Sequence, residues 1–124
     1  MNAKILIIDD SSEHRRLVTE ALIDDGYDVT VTADGVEGLT AYRAHQFDLV
    51  ITDVLMPGAD GLEVIRAIRE AGATVPVIAM SGGGASFPAA ISLSASRALG
   101  AVEVLHKPFR IAELRDAVQR ALVR

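Results

Sequence analysis

Four runs of apolar residues are short and nearly unbroken: Ile5 to Ile8, Leu49 to Ile51, Val75 to Met80 interrupted by Pro76, and Val102 to Leu105 interrupted by Glu103. Strands covered on both faces read this way, because neither face needs a polar residue. A fifth stretch, Tyr27 to Thr32, alternates between apolar and polar positions and predicts an edge strand. The intervening segments carry helical spacing. Leu17, Val18, Ala21 and Leu22 form one stripe, and Val36, Leu39 and Arg43 a second. Leu62, Ile65 and Ile68 form a third, and Ile111, Leu114, Ala117, Val118, Ala121 and Leu122 the last.

The punctuation agrees with the periodicity. Asp34 with Glu37, and Asp60 with Glu63, have the spacing of a capping box, while Gly26, Gly72 and Gly100 stand where helices should close. Between the fourth and fifth strands, glycines and serines lower helix propensity, so the fourth helix should start late, with Ser86 as cap and Pro88 in its first turn. Five strands alternating with five helices predict a parallel sheet with right-handed crossovers and helices on both faces. A length of 124 residues supports one domain, 1–124. Repeats and linkers are absent from the sequence.

Composition narrows the functional classes. Half the residues are apolar, which is a globular composition, and the five aromatic residues leave the core to aliphatic side chains. Seventeen acids against twelve bases give a net charge of −5, which disfavours binding to nucleic acid or anionic lipid. The lack of cysteine excludes disulfides, thiol chemistry and cysteine zinc sites. The apolar run before Asp9 is too short for a signal peptide or a membrane span, so a cytoplasmic protein is expected.

Chemistry concentrates at the strand ends. Asp9 and Asp10 follow the first strand, Asp53 the third, and Lys107 ends the fifth. In an open parallel sheet the ligand crevice lies at the carboxyl ends of the strands, where the chain order reverses, so these groups should converge. Two carboxylates ~4 Å apart repel by about 4 kcal/mol at an effective dielectric of ~20. Three of them therefore call for a cation, and an all-oxygen set suits Mg²⁺ (or Mn²⁺). Lys107 is left to neutralise an added anion, for which a phosphoryl group is the natural choice. His14, His45 and His106 lack ligand spacing and read as structural or surface residues. The run Gly82-Gly83-Gly84 lacks the dinucleotide-binding register.

Together with Met56-Pro57-Gly58 behind Asp53, Ser81 after the fourth strand and Lys107-Pro108-Phe109 after the fifth, this order resembles a receiver domain of a two-component response regulator along the whole chain. The resemblance implies an α/β, doubly wound, flavodoxin-like sheet of five parallel strands in the order 2-1-3-4-5, with five helices on two faces. It implies that Asp53 accepts a phosphoryl group from a sensor histidine kinase or a histidine phosphotransfer protein. Asp9, Asp10, Asp53 and the Leu55 backbone carbonyl would hold the metal, Asp9 through water. Lys107 and Ser81 would contact the phosphoryl oxygens, and a cis Lys107-Pro108 bond would aim the lysine inward. The expected protein is a receiver without an output domain, a monomer or weak dimer. It would signal to a downstream effector through the surface of the fourth helix, fifth strand and fifth helix, where Leu93 and Leu99 stand either as exposed anchors or as residues that complete the core, Leu99 above all.

Some positions depart from the family pattern. Val104 stands where an aromatic residue usually couples the site to the surface, and a β-branched side chain has no ring to swing. The segment Gly82 to Phe87 carries a short insertion, so ordering of this loop and the fourth helix is the expected alternative switch. Leu55 replaces a polar residue near the attacking water, and Arg110 replaces a short polar cap. Two other readings are a phosphorylation-independent interaction module, which the intact Asp9, Asp10, Asp53 and Lys107 set argues against and Val104 keeps open, and an aspartyl-phosphate phosphatase, which Leu55 disfavours by occupying the usual acid position. A flavin carrier is disfavoured because Asp9 and Asp10 would repel the phosphate.

Overall fold

The computed structural model describes residues 2–54, 61–82 and 100–123. Strands β1 (Lys4–Ile8), β2 (Asp28–Thr32), β3 (Leu49–Asp53), β4 (Val77–Gly82) and β5 (Glu103–Lys107) form one parallel sheet in the order β2-β1-β3-β4-β5. Among the described residues there are four helices rather than the five expected: α1 (Ser12–Asp24), α2 (Gly35–Ala44), α3 (Gly61–Glu70) and α4 (Ile111–Leu122). The expected helix between β4 and β5, with Ser86, Pro88, Leu93 and Leu99, lies outside the described residues. So do Asp60 and the loop from Gly83 to Phe87.

The near-continuous apolar strands have the predicted cause. Ile5, Ile7, Leu49, Ile51, Ile78, Met80 and Leu105 face one layer, where they meet Val18, Ala21 and Leu22 of α1 and Leu114, Ala117 and Val118 of α4. Leu6, Ile8, Val50, Val77 and Ala79 face the other, against Val64, Ile65 and Ile68 of α3. Each central strand is therefore apolar on both sides. β2 is an edge strand, with Val31 exposed. On the opposite edge, the polar interruption at Glu103 accepts hydrogen bonds from Arg120 of α4, at 3.1 Å from Nε and 2.9 Å from Nη2.

Two helical stripes differ from expectation. Leu17 is half exposed, and Val36 and Arg43 of α2 face outward, while the buried positions of α2 are Gly35 and Gly38. A Cβ at Gly38 would fall 2.7 Å from Ile8 Cγ1, so this helix approaches the sheet through a missing side chain. Leu39 and Tyr42 pack only partly against that layer.

The helix ends follow their caps. Ser11 Oγ accepts from the His14 N–H at 3.3 Å and Asp34 Oδ1 from the Glu37 N–H at 2.8 Å. Gly26 and Gly72 close α1 and α3 with φ of +90° and +80°. Before α4, Glu113 turns back to accept the Arg110 N–H at 3.1 Å, which supplies half of a capping box although Arg110 has no acceptor of its own.

Candidate functional site

Strand register sets the site. In the β1–β3 pair Ile8 stands opposite Thr52, so the next residues, Asp9 and Asp53, leave neighbouring strands side by side. Adjacent strands lie roughly 4.8 Å apart, which puts the two carboxyl groups within reach of one cation. One carboxylate oxygen from each of Asp9, Asp10 and Asp53 lies within 4.8 Å of the other two. Asp9 is fully buried and Asp53 is 5% exposed, whereas Asp10 is open to solvent. On the other side of Asp53, β4 and β5 pair Gly82 with Lys107 at their carboxyl ends. Lys107 Nζ donates to Asp53 Oδ2 at 2.8 Å and to Asp9 Oδ2 at 3.3 Å. The Lys107-Pro108 bond is cis.

The electrostatics separate the two buried acids. Burial pushes the Asp9 carboxyl up, yet the His14 and Ser11 hydrogen bonds and the charge of Lys107 outweigh it and hold Asp9 below its ordinary value. Burial pushes Asp53 up as well. There the Lys107 bond opposes it, the negative charges of Asp9 and Asp10 add to it, and the group stays above its ordinary value. Of the two buried acids, Asp53 is thus the one whose charge is less compensated. A divalent cation between the three carboxylates would supply the missing positive charge, and the all-oxygen donor set fits Mg²⁺.

Ser81 is fully buried, and its Oγ has no hydrogen-bond partner among the described residues. A buried hydroxyl in that state is uncommon. Leu55, the expected source of a carbonyl ligand, lies outside the described residues. The backbone of Asp53 is held from the side of α3. The Gly61 N–H donates to the Val54 carbonyl at 2.9 Å, and a Cβ at Gly61 would overlap the Asp53 carbonyl and stand 2.6 Å from Val54 Cα.

His14, read from the sequence as a structural or surface residue, contacts one of the site acids. Its Nδ1–H donates to Asp9 Oδ2, and its ring meets Phe109 edge-on at 5.3 Å between centroids. Arg15 Nη1 donates to the Asp9 carbonyl at 2.8 Å. Metal-ligand spacing between histidines could not reveal this, because the partner is a carboxylate five residues back across a helix start. The Ser11 cap was the available signal, since it fixes where the first turn of α1 points. His45 and His106 are exposed, as expected.

The molecule is thus a doubly wound parallel α/β protein whose switch point gathers three acids, a lysine and a serine without a partner among the described residues. The sequence matches the response regulator receiver domain over residues 5–119, and the chain belongs to that family. It is 35% identical over 122 residues to sporulation initiation phosphotransferase F of Bacillus subtilis, covering 98% of this chain and 95% of that protein. It is 36% identical over 124 residues to response regulator MprA of Mycobacterium bovis, covering all of this chain and 52% of the relative. Among solved structures, chemotaxis protein CheY4 of Vibrio cholerae superposes with a TM-score of 0.87 at 33% identity, covering 98% of this chain and 100% of that one. The receiver domain of the Francisella response regulator 1452 gives a TM-score of 0.88 at 28% identity, covering 99% and 98%.

Proposed function

We propose that the chain is a phosphoacceptor whose Asp53 takes a phosphoryl group from a phosphohistidine on a sensor histidine kinase or a histidine phosphotransfer protein. The observation that carries this reading is the position of Asp53. It ends β3 beside Asp9 and Asp10, is 2.8 Å from Lys107, and has its charge only partly compensated. An Asp53 oxygen attacks phosphorus, the P–N bond of the donor breaks, and its electron pair returns to the imidazole. Such transfers ask the protein for positioning and charge neutralisation.

Asp9, Asp10, Asp53 and the Leu55 carbonyl would hold Mg²⁺ (or Mn²⁺), which when bound offsets the charge of donor and nucleophile. Lys107 turns from the two carboxylates to a phosphoryl oxygen, and Ser81 Oγ, without a partner among the described residues, donates to another. Leu55 is apolar and follows Asp53 by two residues in sequence, where an apolar group would exclude the attacking water, so self-dephosphorylation should be slow. A Leu55→Asn variant that loses phosphate no faster than the parent contradicts that point.

The phosphorylated chain would act on a downstream effector protein through β5, α4 and the segment before them, as a cytoplasmic monomer or weak dimer. No helix among the described residues is long and apolar enough to cross a membrane. Incubation with acetyl phosphate and Mg²⁺, read by intact mass, tests the proposal. One phosphoryl group should be gained, and none in the presence of a chelator. A parent protein that gains nothing under these conditions contradicts it.

A further inference from the structure

Among the described residues, Asp9 has a more complete set of hydrogen-bond donors than either of the acids beside it. Its Oδ1 accepts the Ser11 N–H at 2.9 Å, its Oδ2 accepts from both His14 and Lys107, and its carbonyl accepts from Arg15 at 2.8 Å. Ser11, His14 and Arg15 all come from the start of α1. Lys107 is the shared member of this set, since it also bonds Asp53 Oδ2, and the proposed function moves it to an incoming phosphoryl group.

When Lys107 turns away, a fully buried carboxylate loses one donor at Oδ2. Without a second donor there, only the Ser11 N–H at Oδ1 would fix the carboxylate, and Asp9 would draw Lys107 back. We infer that His14 is a positioning residue that holds Asp9 by Oδ2, so that the carboxylate keeps its orientation toward the cation while Lys107 changes partners. The inference rests on the cation role proposed for Asp9.

Two features give His14 this capacity. Its side chain is only 18% exposed, and the edge-on contact with Phe109 restrains the ring on a second side. Phe109 lies two residues after Lys107, so the ring joins the Asp9 end of the site to the loop that carries the lysine. Groups that hydrogen-bond a ligating carboxylate fix its direction, and their loss commonly costs ten- to a hundredfold in metal affinity.

The test compares His14→Leu, which removes the donor but retains apolar contact with Phe109, with His14→Gln, which retains an N–H donor. Mg²⁺ affinity is measured by calorimetric titration without any phosphodonor, so the result is independent of whether Asp53 is phosphorylated. His14→Leu should bind Mg²⁺ about tenfold more weakly than the parent, and His14→Gln should recover most of the loss. With acetyl phosphate, the His14→Leu rate should approach the parent rate at saturating Mg²⁺, which separates positioning from a catalytic contribution.

Unchanged Mg²⁺ affinity in His14→Leu overturns the inference. Equal weakening in both variants overturns it too, because it assigns the effect to loss of the ring's packing. A parent that binds Mg²⁺ but gains no phosphoryl group would contradict the phosphoacceptor reading and leave the role of His14 standing.

Discussion

The two ends of the sheet treat polar groups in opposite ways. At the amino end, Lys4 and Asp48 are exposed and satisfied: the Lys4 N–H donates to Asp48 Oδ2 at 2.8 Å, and the Asp48 N–H to the Lys4 carbonyl at 2.7 Å. At the carboxyl end, Asp9, Asp53 and Ser81 are buried, two acids share one lysine, and the serine hydroxyl has no partner among the described residues. A groove of about 910 Å³ lies at the amino end, lined by Tyr42, His45, Phe47 and Leu122 among others. The largest electrostatic tension among the described residues is at the carboxyl end. Function follows the tension, because burying charge without full compensation is costly unless a ligand completes it.

The contrast can be broken most severely at Gly61. A side chain there collides with backbone, which cannot rotate away, so Gly61→Ala should destabilise the protein by about 3 kcal/mol in urea denaturation. Phosphorylation should fall with it, because the displaced backbone is that of Asp53. A variant of parental stability would show that the α3 entry yields easily and does not hold the acceptor.

Next in size is Lys107→Met, which leaves two buried carboxylates without their shared cation. Stability at neutral pH should drop by about 2 kcal/mol, partly restored by Mg²⁺ or by acid. The phosphorylation rate should fall about a hundredfold, since a donor to the transferring group is lost. A rate within twofold of the parent would remove Lys107 from the chemistry.

The two buried acids should respond oppositely to neutral replacement. Asp53 has a raised carboxyl pKa in the fold, so its contribution to stability is present below the ordinary value near 3.8 and lost as pH rises through the raised value. Asp53→Asn should therefore raise the thermal midpoint of the metal-free protein at neutral pH, with the gain closing in acid. Asp9 has a lowered value, so its contribution is present above the ordinary value and lost as pH falls through the lowered one. Asp9→Asn should lower the midpoint at neutral pH, again converging in acid. Shifts of the same sign in both variants would contradict the division of roles.

Much of this arrangement could be read in the sequence, for physical reasons. Ile5 to Ile8 and Leu49 to Ile51 announce buried strands because both faces are covered, and Asp9, Asp53 and Lys107 mark their ends. What escaped depends on contacts that leave no apolar period. α2 packs through Gly35 and Gly38, which carry no hydrophobic signal, so the stripe of Val36 and Arg43 pointed the wrong way. His14 reaches Asp9 only because the Ser11 cap aims the first turn of α1, and its spacing to other histidines carries no information about that.

The smallest effect is expected at the amino end. Asp48→Ala removes one exposed acceptor from the Lys4 N–H and should cost within about 1 kcal/mol, with phosphorylation unchanged. A marked loss of phosphorylation in this variant would mean that the two ends are coupled through the sheet.

The central claim is that Asp53 itself receives the phosphoryl group. An acyl phosphate is reduced by borohydride to the alcohol, so reduction of the protein after incubation with acetyl phosphate and Mg²⁺ converts the acceptor aspartate to homoserine. Peptide mapping should then find homoserine at position 53 and nowhere else, and none when Mg²⁺ is chelated. Homoserine at position 9 or 10, or phosphate retained on a residue that borohydride leaves intact, would contradict the account.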